Sequence, residues 1–209
     1  MQKSGFILAA LVIFVGVHSQ TARAEAGAYQ RIKWRMPVFM GFTFNDHEAT
    51  KVGHSVAGYT GIAFGLAVDY RFVPMFSLSG EVLFLTKAYE LDNGSTITRY
   101  DPKYLQFPVQ LKFQPANWVY FHAGPYLASL VLSGTRVGNG QVDAVKFDFD
   151  NDYGCTMGVW IGIASNQKLN VGLNIRFDYG LADIEYDKYP GDTVRTRTLM
   201  PLFTITWSL

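Results

Sequence analysis

The sequence has little of several features that would point to a familiar class of protein. It contains one cysteine, Cys155, so an intrachain disulfide is excluded. Its 18 Lys and Arg nearly balance its 17 Asp and Glu, and it lacks the basic excess that is typical of nucleic-acid binding. Beyond residue 24, no apolar run approaches the roughly 18 residues of a membrane-spanning helix. Stability and function must therefore rest on another pattern.

The apolar run that the sequence does have lies at its start. Lys3 precedes the segment FILAALVIFVGV, residues 6–17, and Ala22-Arg23-Ala24 follows it. A short basic start, about a dozen apolar residues and an A-x-A site are typical of a secretory signal peptide. The run is also shorter than the roughly 20 residues of a membrane anchor. We therefore predict a signal peptide over 1–24, a short N-terminal lead over 25–33 and one domain over 34–209.

The dominant pattern of the remaining chain is clearest in NVGLNIRFDYG, residues 170–180. Leu173, Ile175 and Phe177 recur at every second position, with polar residues or glycine between them. A period of two predicts a β-strand with two different faces. The same alternation predicts eight strands, over 34–45, 59–72, 76–87, 104–113, 118–132, 153–163, 170–180 and 198–209.

The links between these stretches alternate in length. Three are short and contain Pro, Asn or Ser, which are typical of tight turns: 73–75, 114–117 and 165–168. Four are long, polar and rich in Gly, Asp and Thr: 46–58, 88–103, 133–152 and 180–197. Short turns at one end and long loops at the other indicate an up-and-down meander. Eight such strands can close on themselves and remove both sheet edges.

The two faces decide what surrounds the barrel. An apolar interior would have to hold about four large side chains from nearly every strand, in a barrel whose interior is small. It would also leave Gly158 and Gly162 on the outside, although glycine weakens an exposed strand. An apolar exterior instead matches the strand length and alternation of outer-membrane barrels. Its lipid-facing residues would include Phe64, Leu66, Val68, Val109, Leu111, Leu173, Ile175, Phe177, Phe203, Ile205 and Trp207.

Aromatic residues gather at both ends of the predicted strands, as in the interfacial belts of membrane proteins. Tyr70, Phe72, Phe76, Phe113, Trp118 and Trp207 lie by the short turns, and Tyr59, Tyr89, Tyr104, Tyr153 and Tyr179 by the long links. We therefore predict an all-β fold, an eight-stranded antiparallel up-and-down transmembrane β-barrel. A soluble, lipocalin-like barrel that binds a ligand is the alternative.

Four segments together resemble the PorT-like outer-membrane β-barrel family of Bacteroidetes-type bacteria: FSLSGEVLFLTKAYE, YLQFPVQLKF, VYFHAGPYLASLVLSG and DYGCTMGVWIGI. The carrying features are Glu81 in a serine-leucine strand, Pro108 in a strand ending in Lys112-Phe113, Ala123-Gly124-Pro125-Tyr126, the spaced Gly154, Gly158 and Gly162, and RFDYGLADI. The resemblance covers roughly 34–209. It implies an outer-membrane barrel, and some relatives are linked to secretion-system assembly. Such barrels commonly end in an aromatic residue, whereas this chain ends Trp207-Ser208-Leu209.

The inward face carries the candidate site. We predict a polar network in the lumen made of Asp69, Arg71, Glu81, Lys87, Gln110, Lys112, His122, Asn174, Arg176 and Asp178. Opposite charges at similar depth can pair, which offsets the cost of removing them from water. Since side chains largely fill an eight-stranded interior, we predict a plugged lumen, and a narrow charge-gated pore is the alternative.

Catalysis, cofactors and metals find little support. His122 has no recognisable Ser partner, and no G-x-S-x-G motif occurs, so we predict that the protein is not an enzyme and needs no cofactor. Asp148, Asp150 and Asp152 alternate as in a calcium loop, but the positions that require Gly and Glu are Tyr153 and Val159. His47 and His54 are two ligands without a third. No metal site is predicted, and Cys155 is expected to face lipid or a neighbouring strand.

The partners follow from this architecture. We expect contact with outer-membrane lipid and lipopolysaccharide, and with the barrel-assembly machinery during insertion, in a monomer of the Gram-negative outer membrane. Loops on a rigid scaffold commonly carry binding function. Contact with a protein partner would then use external loop residues such as Tyr89, Arg99, Tyr100, Asp143, Tyr186, Tyr189 and Arg195. No nucleic-acid partner is expected.

Overall fold

The computed structural model describes residues 34–49, 55–92, 97–132, 135–138, 141–144, 151–165, 168–182 and 194–208. The predicted signal peptide and lead, residues 1–33, lie outside the described residues. In the part of the chain that is described, no helix has the length and apolarity to span a membrane.

The described residues form thirteen β-strands. They are β1 (Trp34–Ala49), β2 (Ser55–Gly58), β3 (Thr60–Val73), β4 (Phe76–Thr86), β5 (Tyr89–Asp92), β6 (Ile97–Tyr100), β7 (Lys103–Ala116), β8 (Val119–Leu132), β9 (Thr135–Gly138), β10 (Gln141–Ala144), β11 (Asp152–Ser165), β12 (Leu169–Gly180) and β13 (Val194–Ser208). Eight of them close into an antiparallel barrel in the order β1-β3-β4-β7-β8-β11-β12-β13. The prediction of a closed eight-stranded barrel is confirmed.

The long links contain more structure than the sequence analysis predicted. Five short strands pair in the order β10-β9-β6-β5-β2 and form a second sheet at the long-loop end of the barrel. In addition, β1 and β13 extend past their predicted ends and pair as far as Ala49 and Val194. The prediction of loops over 46–58, 88–103, 133–152 and 180–197 was therefore wrong in part. Runs of four residues are too short to display a clear alternation, so their pairing was not visible in the sequence.

Burial alternates along the barrel strands as the sequence alternates. In β3, Phe64, Leu66 and Val68 are exposed while Ala63, Ala67 and Asp69 are buried. Exposed apolar residues on this strand run from Ile62 to Phe72. At about 3.3 Å per residue and a typical strand tilt, that run spans roughly 25 Å, the height of the apolar band of outer-membrane barrels. The apolar series therefore faces outward.

The prediction of an aromatic belt near the long links was wrong for two of its five members. Tyr89 and Tyr104 are buried, with 2% and 0% of their surface exposed. Tyr104 points into the lumen, where its ring centroid lies 5.5 Å from Lys87 Nζ. Tyr89 stacks on Tyr100 at 5.0 Å between ring centroids. Tyr104 therefore faces a lysine in the lumen and Tyr89 packs against another ring, and neither side chain is exposed on the outer face.

Pro108 interrupts the barrel wall in the middle of β7. On the β4 side, the ladder is interrupted between the pairs Gly80↔Val109 and Leu83↔Gln106. On the β8 side, it is interrupted between the pairs Pro108↔Tyr126 and Leu111↔Ala123. Proline has no N–H to donate to a ladder. A central strand of the barrel is thus locally less well paired on both of its sides.

Candidate functional site: the barrel lumen

An ion pair crosses the centre of the lumen. Arg176 on β12 donates from Nη2 to Glu81 Oε2 on β4 at 2.6 Å, and both side chains are fully buried. β4 and β12 are four strands apart in either direction round the barrel, so they stand diametrically opposite each other. The guanidinium also lies 5.7 Å from the ring centroid of Phe39. A single side-chain contact therefore spans the interior from wall to wall.

A second ion pair joins this one on the short-turn side. Lys112 Nζ lies 2.8 Å from Asp69 Oδ1 and 3.5 Å from Glu81 Oε1. The Ser79 hydroxyl donates to Asp69 Oδ1 at 2.7 Å and lies 3.2 Å from Glu81 Oε1. Two carboxylates and two cations are thus brought together, and each carboxylate has a cationic partner, which offsets the cost of burying it.

Gln110, His122 and Asn174 complete the central cluster. With its amide nitrogen toward Glu81, Gln110 donates to Glu81 Oε1 at 3.1 Å and to His122 Nδ1 at 3.0 Å. His122 Nε2 lies 2.9 Å from Asn174 Oδ1, which only accepts. Since Nδ1 accepts and Nε2 must then donate, the network assigns His122 the neutral Nε2–H tautomer. The imidazole is a structural link between β7, β8 and β12.

The short-turn end of the lumen is filled by aromatic rings and an amide. Trp160 stacks on Tyr120 with ring centroids 5.1 Å apart and planes at 7°. Gly172 makes room for Trp160, because a Cβ at that position would lie 2.4 Å from Trp160 Cε2. Closer to the rim, Arg35 and Arg71 both donate to Gln114 Oε1, at 3.3 and 2.6 Å.

The long-loop end holds another buried ion pair. Lys87, which follows β4 directly, pairs with Asp152 at the start of β11, and neither side chain is exposed. Asp152 Oδ2 also accepts from Tyr126 at 3.1 Å and from Thr196 at 2.9 Å. Nearby on β12, Asp178 accepts from Gln106 Nε2 at 2.6 Å. The Lys87–Asp152 and Gln106–Asp178 contacts again cross the lumen, since each joins positions that are three strands apart round the barrel.

An apolar cluster lies inside the barrel, which the sequence analysis did not predict. It packs side chains from six strands, all at most 2% exposed: Phe39, Ala63, Ala67, Leu83, Leu85, Tyr104, Tyr126, Ala128, Met200 and Leu202. Leu83 and Leu85 share the inward face of β4 with Glu81 and Lys87. Closely packed apolar side chains between two charged layers exclude water from this part of the interior.

The structure brings the ten predicted lumen residues to the inside of the barrel. All are buried: Asp69, Arg71, Glu81, Lys87, Gln110, Lys112, His122, Asn174, Arg176 and Asp178. Seven of them form the central cluster, while Arg71 lies at the short-turn rim and Lys87 and Asp178 lie toward the long loops.

The residues predicted to face lipid lie on the outer face. Phe64, Leu66, Val68, Val109, Leu111, Ile175, Phe177, Phe203 and Trp207 are exposed, and Leu173 and Ile205 are half-buried between their neighbours. Cys155 is exposed on the same face.

Several inward residues escaped prediction. Trp160 and Tyr120 lie in stretches where both faces are apolar or glycine-rich, so alternation carried little signal. Arg35 stands near the start of β1, and Gln106 shares the inward face of β7 with Gln110 and Lys112. The parity of each strand, counted from its already assigned residues, was the signal that could have found them.

The other candidate sites are partly outside the described residues. Asp152 is paired with Lys87, whereas Asp148, Asp150 and His54 lie outside the described residues. Among the residues that are described, no group of three or more His, Cys, Asp or Glu side chains is placed to hold a metal ion. Of the predicted loop residues, Arg195 is exposed, and Arg99 is half-buried with its Cζ 3.4 Å from the ring centroid of Tyr59. Tyr100 is half-buried and Tyr89 is buried against it, so Tyr89 is not exposed for contact with a partner. Tyr186 and Tyr189 lie outside the described residues, and Asp143 lies in β10.

A closed antiparallel barrel with an apolar outer face and a polar, packed interior defines the class of transmembrane β-barrels. Residues 18–186 match the family model of the outer membrane protein beta-barrel domain, and the chain belongs to that family. The family and the fold together place the protein in the Gram-negative outer membrane. No curated protein matches this chain significantly in sequence.

Solved structures with similar folds are also outer-membrane barrels. The outer membrane protein OprG from Pseudomonas aeruginosa is 11% identical, with 85% of this chain and 98% of that chain covered and a TM-score of 0.58. Neisserial surface protein A is 14% identical over 84% of this chain and 97% of that chain, with a TM-score of 0.44. Ail of Yersinia pestis is 12% identical over 83% of this chain and 99% of that chain, with a TM-score of 0.42. At these identities, the likeness to OprG shows the shared fold alone.

Proposed function

We propose that this outer-membrane barrel is a closed scaffold, which does not conduct solutes and which presents its long-loop end to a protein partner. The observation that carries the proposal is the Glu81–Arg176 ion pair, which joins opposite walls of the lumen. The lumen also holds two layers of charged residues with the apolar cluster packed between them, and this filling supports a closed lumen. A pore would open only if the ion pairs and the apolar contacts in the lumen were broken at the same time.

The long-loop end is the part of the protein that supports a binding role. The five-stranded second sheet lies at this end and is held by strand pairs such as Glu90↔Arg99 and Tyr100↔Arg136. Sites built on paired strands are positioned more precisely than sites on irregular loops. The PorT-like resemblance favours a partner that belongs to a secretion or assembly machine.

We also expect a signal-directed route of export and the absence of enzymatic activity. Export is directed by the signal peptide predicted over 1–24, with insertion by the barrel-assembly machinery. The protein is not an enzyme: His122 is buried and bonds to amides, and in the described part of the chain no hydroxyl or thiol nucleophile bonds to it.

Single-channel recording tests the closed lumen. Purified, refolded wild-type protein is added to a planar lipid bilayer in 1 M KCl, and insertion is verified by its heat-modifiable migration on SDS gels. We expect no conductance steps from the wild type. In a Glu81→Ala, Lys87→Ala double variant, which loses both cross-lumen pairs at β4, we expect brief openings. Stable openings of the wild type would contradict the proposal and favour the narrow charge-gated pore.

The binding role requires a separate test. Arg99 and Arg195 are replaced by photo-crosslinking amino acids in cells, with Leu111 on the lipid face as the matched control. We expect a protein adduct from the long-loop positions and none from Leu111. Adducts from Leu111 alone would place the partner within the membrane and contradict a partner at the long-loop end.

A further inference from the structure

Asp178 differs from the other buried carboxylates of the lumen. Asp69, Glu81 and Asp152 each pair with a Lys or Arg, whereas Asp178 forms no ion pair with a residue of the described part of the chain. Its side chain is fully buried, Oδ2 accepts from Gln106, and Oδ1 has no hydrogen-bond partner. An ionised carboxylate that is buried without a counter-charge is strongly destabilising.

Further oxygen atoms lie around this carboxylate. Gln106 is fully buried and donates to Asp178 at 2.6 Å, so its own amide oxygen lies close by, and that oxygen has no partner. Thr156 stands directly opposite Asp178 in the register of β11 and β12, and its hydroxyl interacts weakly with the Asp178 carboxylate. Three strands thus direct oxygen atoms toward one part of the lumen, and two of these oxygens, Asp178 Oδ1 and Gln106 Oε1, have no hydrogen-bond partner.

The charges of the lumen do not balance there. The central cluster is neutral, since Asp69 and Glu81 face Lys112 and Arg176. Toward the long loops, Lys87 pairs with Asp152, and the cations nearest to Asp178, Arg176 and Lys87, already pair with Glu81 and Asp152. When the ion pairs are counted, Asp178 is the carboxylate that is left over. A group of carboxylate, amide and hydroxyl oxygens is the kind of ligand set that hard cations prefer. One uncompensated negative charge matches a monovalent cation, whereas a divalent cation would leave an excess positive charge.

We propose that Asp178, with Gln106 and Thr156, forms a binding site for a monovalent alkali cation in the long-loop half of the lumen. The cation neutralises Asp178 and joins β7, β11 and β12. This site is independent of whether the long-loop end binds a partner, and it requires no conduction. Two other arrangements compete with it: a protonated Asp178, and water molecules that bridge Asp178 to the free N–H groups of Arg176.

The dependence of stability on the type of cation tests the site. The midpoint of heat unfolding in detergent micelles is followed by the change of migration on SDS gels, in sodium chloride and in choline chloride at equal ionic strength. Choline carries the same charge but is too large for a packed lumen. At a sodium concentration about ten times the Kd, mass action raises the midpoint by roughly 3 to 6 °C for a chain of this size. Equal midpoints in sodium and choline would overturn the proposal and leave the protonated or water-bridged arrangement.

Two variants keep the result specific to Asp178. In Asp178→Asn, the difference between sodium and choline should vanish, and the midpoint in choline should not fall below that of the wild type. Asp101→Asn is the matched control, since it removes a partly exposed carboxylate paired with Arg99 at 3.2 Å, and it should retain the full difference. Thr156→Val keeps the carboxylate and removes one neutral oxygen, so more sodium should be needed for the same rise. A sodium effect that persists in Asp178→Asn would place the ion elsewhere and overturn the proposal.

Discussion

At the scale of single residues, the lumen contains ion pairs whose two side chains come from strands on opposite sides of the barrel. Glu81 and Arg176 are 95 residues apart in sequence and come from opposite walls, yet they form a 2.6 Å contact with no exposure to solvent. Removing one partner of such a pair leaves a buried charge without compensation, which costs far more than losing an exposed pair.

Glu81→Gln should therefore reduce the free energy of unfolding by about 3 to 5 kcal/mol, because Arg176 stays charged and buried. Arg176→Met combined with Glu81→Gln should recover much of this loss. Urea unfolding in lipid vesicles, followed by tryptophan fluorescence, measures both values. Asp101→Asn, at a partly exposed pair, should change the free energy by less than about 1 kcal/mol. Equal losses for the two single variants would show that the central pair is not buried.

The close packing of Gly172 against Trp160 gives a second prediction at the residue scale. Gly172→Ala places a methyl group 2.4 Å from Trp160 Cε2 and should destabilise the barrel by about 1 to 3 kcal/mol through overpacking. Gly80→Ala is the matched control, because a Cβ at this outward glycine meets no atom within 4 Å. The same urea titration compares them. A harmless Gly172→Ala would mean that Trp160 does not fill the lumen.

At the scale of elements, the barrel strands were predictable and the second sheet was not. Alternation over ten or more residues distinguishes two faces, so β3, β7 and β12 were located within a few residues of their ends. The four-residue strands β5 and β9 depend on pairing partners that are distant in sequence, and local pattern does not reveal these. The inward position of Leu83 followed from its parity with Glu81, whereas its apolar side chain taken alone suggested the outer face.

The interruption at Pro108 gives an element-scale prediction. Pro108→Val adds one backbone N–H that can donate to a neighbouring strand, so the free energy of unfolding should rise by about 1 kcal/mol. Pro115→Val, at an exposed position near the end of β7 where no ladder pair forms, is the control and should have no comparable effect. Urea midpoints in vesicles measure the difference. A fall in stability at Pro108→Val would indicate that the backbone there is fixed in a conformation that only proline suits.

At the scale of the whole molecule, two β-sheets have separable tasks. The barrel closes through eight continuous strands, whereas β9 and β10 pair only with each other and with β6 among the described strands. Replacing residues 134–145 by a short glycine-rich turn should therefore leave a heat-modifiable barrel in the outer membrane. Fractionation and SDS migration with and without boiling check this. Loss of the protein from the outer membrane would show that the second sheet is needed for assembly.

The central claim is the assignment of the two faces, and the native Cys155 allows it to be measured directly. A bimane fluorophore is attached to Cys155, on the outer face, or to a cysteine introduced by Thr156→Cys in a Cys155→Ala background, on the inner face. The labelled proteins are refolded into vesicles with and without brominated phospholipid. We expect strong quenching of the label at 155 and little labelling or quenching at 156. Quenching at 156 but not at 155 would mean that the polar face meets lipid, and it would contradict the assignment of the two faces.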